Sequence, residues 1–248
     1  MSQSIGGRVQ RSTGVVGVAD SVVSTAFDVV ARLRRGRVFH PEGRWVTGVL
    51  RVGDARVAEL MGGAERAVVA RVSKGTGLPG RVPDVLGLAV RVVDREGRPW
   101  DFTFATAATV PFLRWVPVPV RGWDAAHYGS LMPYRFEGGP VTWLYAQPVG
   151  EQPHSAGVED FVAGLAEHPA EFTLLERPSS GPGRILGKLT LIEPATGDVP
   201  DYVDPVLNHP AEVELLPEAL AKVREWAYAG SREGRGGGKV DALPPARL

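Results

Sequence analysis

Val85-Leu-Gly-Leu-Ala-Val-Arg-Val-Val93 is apolar almost throughout, gives way to Asp94-Arg-Glu-Gly-Arg-Pro99, and resumes as Trp100-Asp-Phe-Thr-Phe104. β-branched and aromatic residues on both sides of a charged, glycine-bearing turn read as the two strands of a hairpin, the first of them central. Upstream, 45–52 and 67–73 have the same character, with a helical fragment at 55–61 between them. Four short strands joined by tight turns are the pattern of an antiparallel barrel or curved sheet, not of alternating β-α-β units.

The chain continues in the same style. Residues 110–120 hold three prolines and are expected to be irregular. Residues 128–140 read as a loop and 141–147 as a strand. A helix is predicted at 158–167, then strands at 171–176 and 184–193 joined by Ser179-Ser-Gly-Pro-Gly183. Residues 197–217 form a proline- and acid-rich connection. Gly75-Thr-Gly77-Leu-Pro-Gly80 fits a dinucleotide-binding pattern in spelling only. Pro79 and Pro83 block the helix that such a motif must open, so it is a turn-rich loop.

Helices flank this β-rich body, and the fold class is therefore α+β. Near the N-terminus Asp20 can cap a helix with Val22, Val23, Ala26, Phe27, Val30 and Leu33 on its apolar face, ended by Gly36. Near the C-terminus Pro217 suits a first turn and Gly230 the position past the last, with Leu220, Val223 and Ala227 as the stripe between them. Residues 236–248 have the composition of a disordered tail. The expected division is a tail and helix at 1–36, a barrel domain at 37–235 and the tail at 236–248.

Composition narrows the function. The 248 residues carry 28 Lys+Arg against 28 Asp+Glu, which gives no support for a nucleic-acid or acidic-membrane binder. With no cysteine, disulfides, thiolate nucleophiles, zinc–thiolate sites, iron–sulfur clusters and thiolate-ligated haem are excluded. The apolar run at 15–30 is interrupted by Asp20 and Asp28 and is neither a signal peptide nor a membrane span, so a cytoplasmic location is the default expectation.

Two pairs of residues hint at a site. Arg224 and Tyr228 lie four apart and share a helix face. A guanidinium beside a tyrosine favours the phenolate, a known axial ligand of haem iron. A cation stacked on a ring, or a solvated face, fits the same spacing. In the second strand Val69, Arg71 and Ser73 share a face. Either two polar groups meet a polar ligand in a barrel interior, or the strand ends at Arg71 and both are solvated; spacing alone favours solvation.

Taken together, the motifs resemble the haem catalase superfamily in its short form. Arg37-Val-Phe-His40-Pro-Glu-Gly43 is similar to the segment that carries the family's distal histidine. Arg71-Val-Ser73 is similar to its Arg-Phe-Ser, and Asp84-Val-Leu-Gly-Leu-Ala-Val90 to the strand that follows. Arg224-Glu-Trp-Ala-Tyr228 resembles its proximal Arg-x-x-x-Tyr, and Arg235 a further propionate-binding arginine. Tyr128-Gly-Ser-Leu-Met-Pro-Tyr-Arg-Phe136 is similar to a loop of small catalase-related peroxidases. The matching is strong over 37–114 and 184–235 and looser between.

The resemblance implies a catalase-like antiparallel β-barrel with surrounding helices and a C-terminal proximal helix. It implies haem held by Tyr228 on iron, with Arg224 keeping the phenol ionised and Arg37, Arg71 and Arg235 on the propionates. His40 would move the peroxide proton, and Ser73 would orient its ring. A bend near 39–41 is needed to bring both Arg37 and His40 to one group. The family's distal asparagine is replaced within Ala105-Thr106-Ala107, leaving Thr106 as the candidate donor. The implied activity is reduction of organic hydroperoxides or hydrogen peroxide, with weak catalase activity. The alternative is a catalase-fold pseudoenzyme or small-ligand-binding barrel without peroxide turnover. The expected partner is a small-molecule peroxide or hydroperoxide, with neither nucleic acid nor membrane. The family usually associates, and a homodimer is the assembly expected, although the segments used for intertwining are mostly missing from this chain.

Overall fold

Along Glu42–Val52 (β1) the side chains alternate: Val46, Leu50 and Val52 are buried, while Thr47, Val49 and Arg51 between them are partly or fully exposed. This period of two sorts the residues of a strand onto the two faces of its sheet. The same sorting recurs in Glu65–Lys74 (β2), Leu86–Val93 (β3) and Pro99–Thr106 (β4). The computed structural model describes residues 42–110, 113–114, 116–130, 132–179 and 181–216. Within them follow Tyr128–Gly129 (β5), Tyr134–Phe136 (β6), Thr142–Val149 (β7), Ala170–Pro178 (β8), Arg184–Pro194 (β9) and Val213–Leu215 (β10).

All ladders are antiparallel. The order β1-β2-β3-β4-β5-β7-β8-β9 returns to β1 through the β1–β9 pairing, so eight strands close a barrel. β6 and β10 extend the sheet beside β7. The inward-facing residues, among them Val46, Leu50, Ala70, Val72, Leu88, Val90, Phe104, Ala146, Phe172 and Leu189, merge into one apolar cluster. Closure pairs each of the eight strands on both sides, through only two residue pairs on each side of the short β5.

The closing seam depends on two glycines. A Cβ on Gly48 would meet the Thr190 carbonyl oxygen, and a Cβ on Gly187 would meet the Arg51 carbonyl oxygen, each inside contact distance. β1 and β9 therefore approach backbone to backbone where only glycine fits. The pairing also slips by one residue between Thr47 and Gly48, a bulge that sharpens the local bend.

Local chemistry explains the turns. Asp94 Oδ1 accepts from the Glu96 and Arg98 amides and its Oδ2 from Arg98 Nε, while Gly97 takes φ 78°, so the β3–β4 hairpin is tied by its own acid. The helix Ala55–Met61 (α1) starts with Asp54 accepting from the Val57 amide at 3.1 Å and ends at Gly62 with φ 68°. A second helix, Val158–Gly164 (α2), buries Val158 and Phe161, with the Phe161 ring 4.6 Å from that of Trp123. Asp160 on α2 accepts from Arg81 Nε and Nη2 and from the Ser155 hydroxyl. These bonds, led by Arg81, hold its carboxyl below the ordinary carboxylate range.

The long connection 195–212 is fastened by Asp101, which is fully buried. It accepts from Arg91 Nε and Nη2, from Asn208 Nδ2 and from the Asp204 amide, all at 2.7–2.8 Å. Charge-assisted bonds of this length are the strong class, and they satisfy a carboxylate that burial would otherwise penalise.

The architecture expected from sequence is the one found, with corrections in detail. The segment read as a loop at 128–140 contains β5 and β6, and the connection at 197–217 contains β10. Strands of two or three residues beside prolines carry no periodic signal of their own; their partners define them. The helix read at 158–167 ends at Gly164 and continues as turns. The N-terminal helix and tail at 1–36, the C-terminal proximal helix and the tail at 236–248 lie outside the described residues.

Replacing Gly48 or Gly187 by alanine is expected to destabilise the fold by about 1–3 kcal/mol, the usual range for overpacking. Gly53→Ala is the control, because the nearest atom to its Cβ would be 3.9 Å away. Urea midpoints of the three variants read the difference.

Candidate functional site

On the outer face of the barrel, register brings small residues into rows. Gly43 of β1 pairs with Ser73 of β2, which pairs with Gly87 of β3, which pairs with Ala105 of β4. One step along, Trp45, Arg71, Ala89 and Thr103 form the next row. Val68, Ala70 and Val72 alternate with Val69, Arg71 and Ser73 and point into the core. The polar face of β2 thus belongs to the outside of the barrel, and the alternative of a polar ligand in the interior fails because the interior parity is filled by valine and alanine. Solvation at a strand tip fails as well: β2 runs on to Lys74 and Ser73 is 4 % exposed.

Arg71 folds back over this wall. A Cβ on Gly43 would lie 2.6 Å from Arg71 Cζ, so the guanidinium rests on the glycine that pairs with Ser73. Burial pulls the Arg71 guanidinium below the ordinary arginine value, yet arginine keeps its charge in proteins. The guanidinium is a half-buried cation beside Gly43, Ser73, Gly87, Ala89 and Ala105, positions with short side chains or none.

Thr106 lies on the opposite face of β4 from Ala105 and is fully buried. Its Oγ1 donates to the Val118 carbonyl at 2.6 Å and accepts from the Leu86 amide at 3.1 Å. The Val118 amide in turn donates to the Thr106 carbonyl. The hydroxyl therefore ties the irregular 107–120 segment and the start of β3 to the end of β4.

Two residues beside the wall escaped the sequence reading. Lys74, next after Ser73, is fully buried and donates to the Gly80 and Val82 carbonyls at 2.9 Å each. Asp84 accepts from the Thr76, Leu78 and Val85 amides. Together they fix the glycine-rich 75–85 loop at the end of β2. The available signal was a lysine and an aspartate bracketing a loop of glycine and proline, whose backbone groups need partners when buried.

Tyr128 and Tyr134 are buried and desolvation pushes both phenols up. Tyr145 is raised by partial burial, opposed by Arg114 and Arg177. In each case burial favours the protonated phenol. Among the described residues no group of three or more His, Cys, Asp or Glu could hold a metal ion. Of the site residues read from sequence, Arg71 and Ser73 meet on the outer wall and Thr106 lies behind it. Arg37, His40, Arg224, Tyr228 and Arg235 lie outside the described residues.

The fold is catalase-like. The chain superposes on catalase A from Saccharomyces cerevisiae with a TM-score of 0.55 at 14 % identity, covering 93 % of this chain and 66 % of that one. A fungal catalase gives 0.54 at 14 % identity and a bacterial catalase 0.52 at 13 %, with 64 % and 62 % of those chains covered. This chain thus spans just under two thirds of the length of those catalases. Neither a family model nor a curated protein matches it by sequence. No helix among the described residues is long and apolar enough to cross a membrane.

Thr106→Val keeps the side-chain shape and strands the Leu86 amide and Val118 carbonyl. A loss of about 1–3 kcal/mol is expected for unsatisfied buried groups. Thermal unfolding checks it, with Thr106→Ser as the variant that should retain most of the stability.

Proposed function

We propose that this chain is a haem-dependent, catalase-related peroxidase that reduces organic hydroperoxides or hydrogen peroxide and dismutates hydrogen peroxide weakly. One observation carries the reading: Arg71 and Ser73 sit side by side on a wall of glycine and alanine in a catalase-like barrel. A porphyrin is flat, apolar across its face and anionic at its propionate edge. Its bulk needs a floor without protruding side chains, and its carboxylates need buried cations. Gly43, Gly87, Ala89 and Ala105 would supply the floor and Arg71 the cation, with Trp45 at the β1 side of the row, so these described residues fit the group.

The remaining roles are those the resemblance implies. Tyr228 would hold the iron, with Arg224 favouring its phenolate. Arg37 and Arg235 would join Arg71 in holding the propionates. When bound, haem would supply a ferric centre at which the peroxide O–O bond is cleaved. His40 would move the proton between the two peroxide oxygens. Ser73 would orient the His40 ring. Thr106 does not take the place of the asparagine donor, since its proton goes to the Val118 carbonyl. Loss of one such donor typically lowers the rate about 10²–10³-fold, which is why dismutation is weak.

A second reading is a catalase-fold barrel that binds without peroxide turnover. The engagement of Thr106 favours it. Haemin reconstitution separates the two. The peroxidase reading expects a Soret band that changes in Tyr228→Phe, together with hydroperoxide reduction above the rate of free haemin. A Soret band without turnover leaves the binding barrel. No Soret band at all, or dismutation as fast as that of a full-length catalase, refutes the peroxidase reading.

A further inference from the structure

Trp45 is the one aromatic side chain in the two rows that make the outer wall. It takes an outward position on β1, between the outward positions of Gly43 and Thr47, and is half-buried. Directly opposite it across the β1–β2 ladder is Arg71. Side chains opposite one another in an antiparallel pair have Cβ atoms about 4.5–5.5 Å apart. The indole and the arginine side chain therefore rise from the wall side by side.

Arg71 turns from this pairing toward Gly43, where a Cβ would lie 2.6 Å from its Cζ. An anionic edge held by the guanidinium is thereby drawn to the Gly43 corner of the wall. A plane attached to that edge can spread over Gly87, Ala89 and Ala105, whose side chains are short or absent. Toward β1 it cannot spread, because the indole stands there. The backbone under the indole is fixed as well, since the Trp45 carbonyl accepts from the Ala195 amide at 3.0 Å. Tryptophan is suited to such a contact: it offers a large, rigid apolar face and loses few torsions on being held.

We propose that Trp45 is the side wall of the haem seat and the residue that sets which planar anions fit it. Its indole meets the periphery of the ring system whose carboxylate Arg71 holds. The proposal rests on the haem reading above and adds a determinant of specificity to it. Trp45 neither ligates iron nor moves a proton; it is a positioning residue. A ring system with a compact periphery lies flat against the indole, whereas one with bulky groups standing out of its plane strikes it.

Gallium protoporphyrin, a diamagnetic counterpart of haemin, reports proximity through its ring current. Added to the isotope-labelled full-length protein, it is expected to shift the Trp45 indole N–H more than those of Trp100, Trp123 and Trp143. Trp45→Ala should weaken haemin binding roughly 3–10-fold, the size of one aromatic contact. It should also reduce the preference for haemin over a sulfonated iron tetraarylporphyrin, whose aryl groups stand out of plane. Trp45→Phe should restore most of the affinity. Val49→Ala, on the same face of β1 but paired with Ala67 and not with Arg71, should bind as the unaltered protein does. Haemin binding that is unchanged or tighter in folded Trp45→Ala overturns the role of Trp45 and leaves the haem reading standing. A Trp45 indole shift no larger than those of the other three does the same. Failure of the unaltered protein to bind haemin or gallium protoporphyrin overturns both.

Discussion

The close approach of β1 to β9 is the constraint on which the rest of the structure depends. At Gly48 and Gly187 one backbone lies where a side chain would otherwise stand. That approach converts a curved antiparallel sheet into a closed barrel. Once closed, the parity of each strand has a fixed meaning. Val46, Ala70, Val90 and Phe104 must fill the inside, and Gly43, Arg71, Ala89 and Thr103 must face out. A one-residue slip in any ladder would exchange the two sets and place a guanidinium in an apolar core. The strong preference for burial of the valine and phenylalanine set therefore also determines where the polar groups of β2 appear.

The wall that bears Arg71 and Ser73 is kept in place by groups with no direct part in it. Lys74 and Asp84 hold the loop at one end of β2. Thr106 joins three segments behind β4 through a single hydroxyl. Asp101 fastens the connection between β9 and β10 to the outer side of β3 and β4. Each is a buried polar group whose bonds are made to backbone or to a matched cation, which is the condition for keeping it inside at all. Satisfied networks of this kind set geometry more than they add stability.

Much of this was legible in the sequence, and the exceptions have physical reasons. The hairpin of β3 and β4 was readable because a long apolar run, a charged turn with Gly97 and a second β-rich run leave few alternatives. α1 was readable as the helical fragment at 55–61. β5, β6 and β10 were not, since strands of two or three residues are created by neighbours distant in sequence. Arg71 and Ser73 could be placed on a common face but not on the correct one, because period two tells sides apart without saying which is inside. The role of Thr106 as a staple was invisible for a related reason: its partners, Leu86 and Val118, offer backbone groups that any residue would offer.

The central claim is that the outer wall of β1 to β4, and not the barrel interior, receives the planar anionic group. A titration of the isotope-labelled protein with haemin, followed through backbone amide resonances, tests it most directly. The account predicts that Gly43, Arg71, Ser73, Gly87, Ala89 and Ala105 move or broaden together, while Val46, Ala70 and Val90 hold still as residues facing the core. Perturbation centred on the interior set, or none at the wall when haemin is saturating, would contradict it.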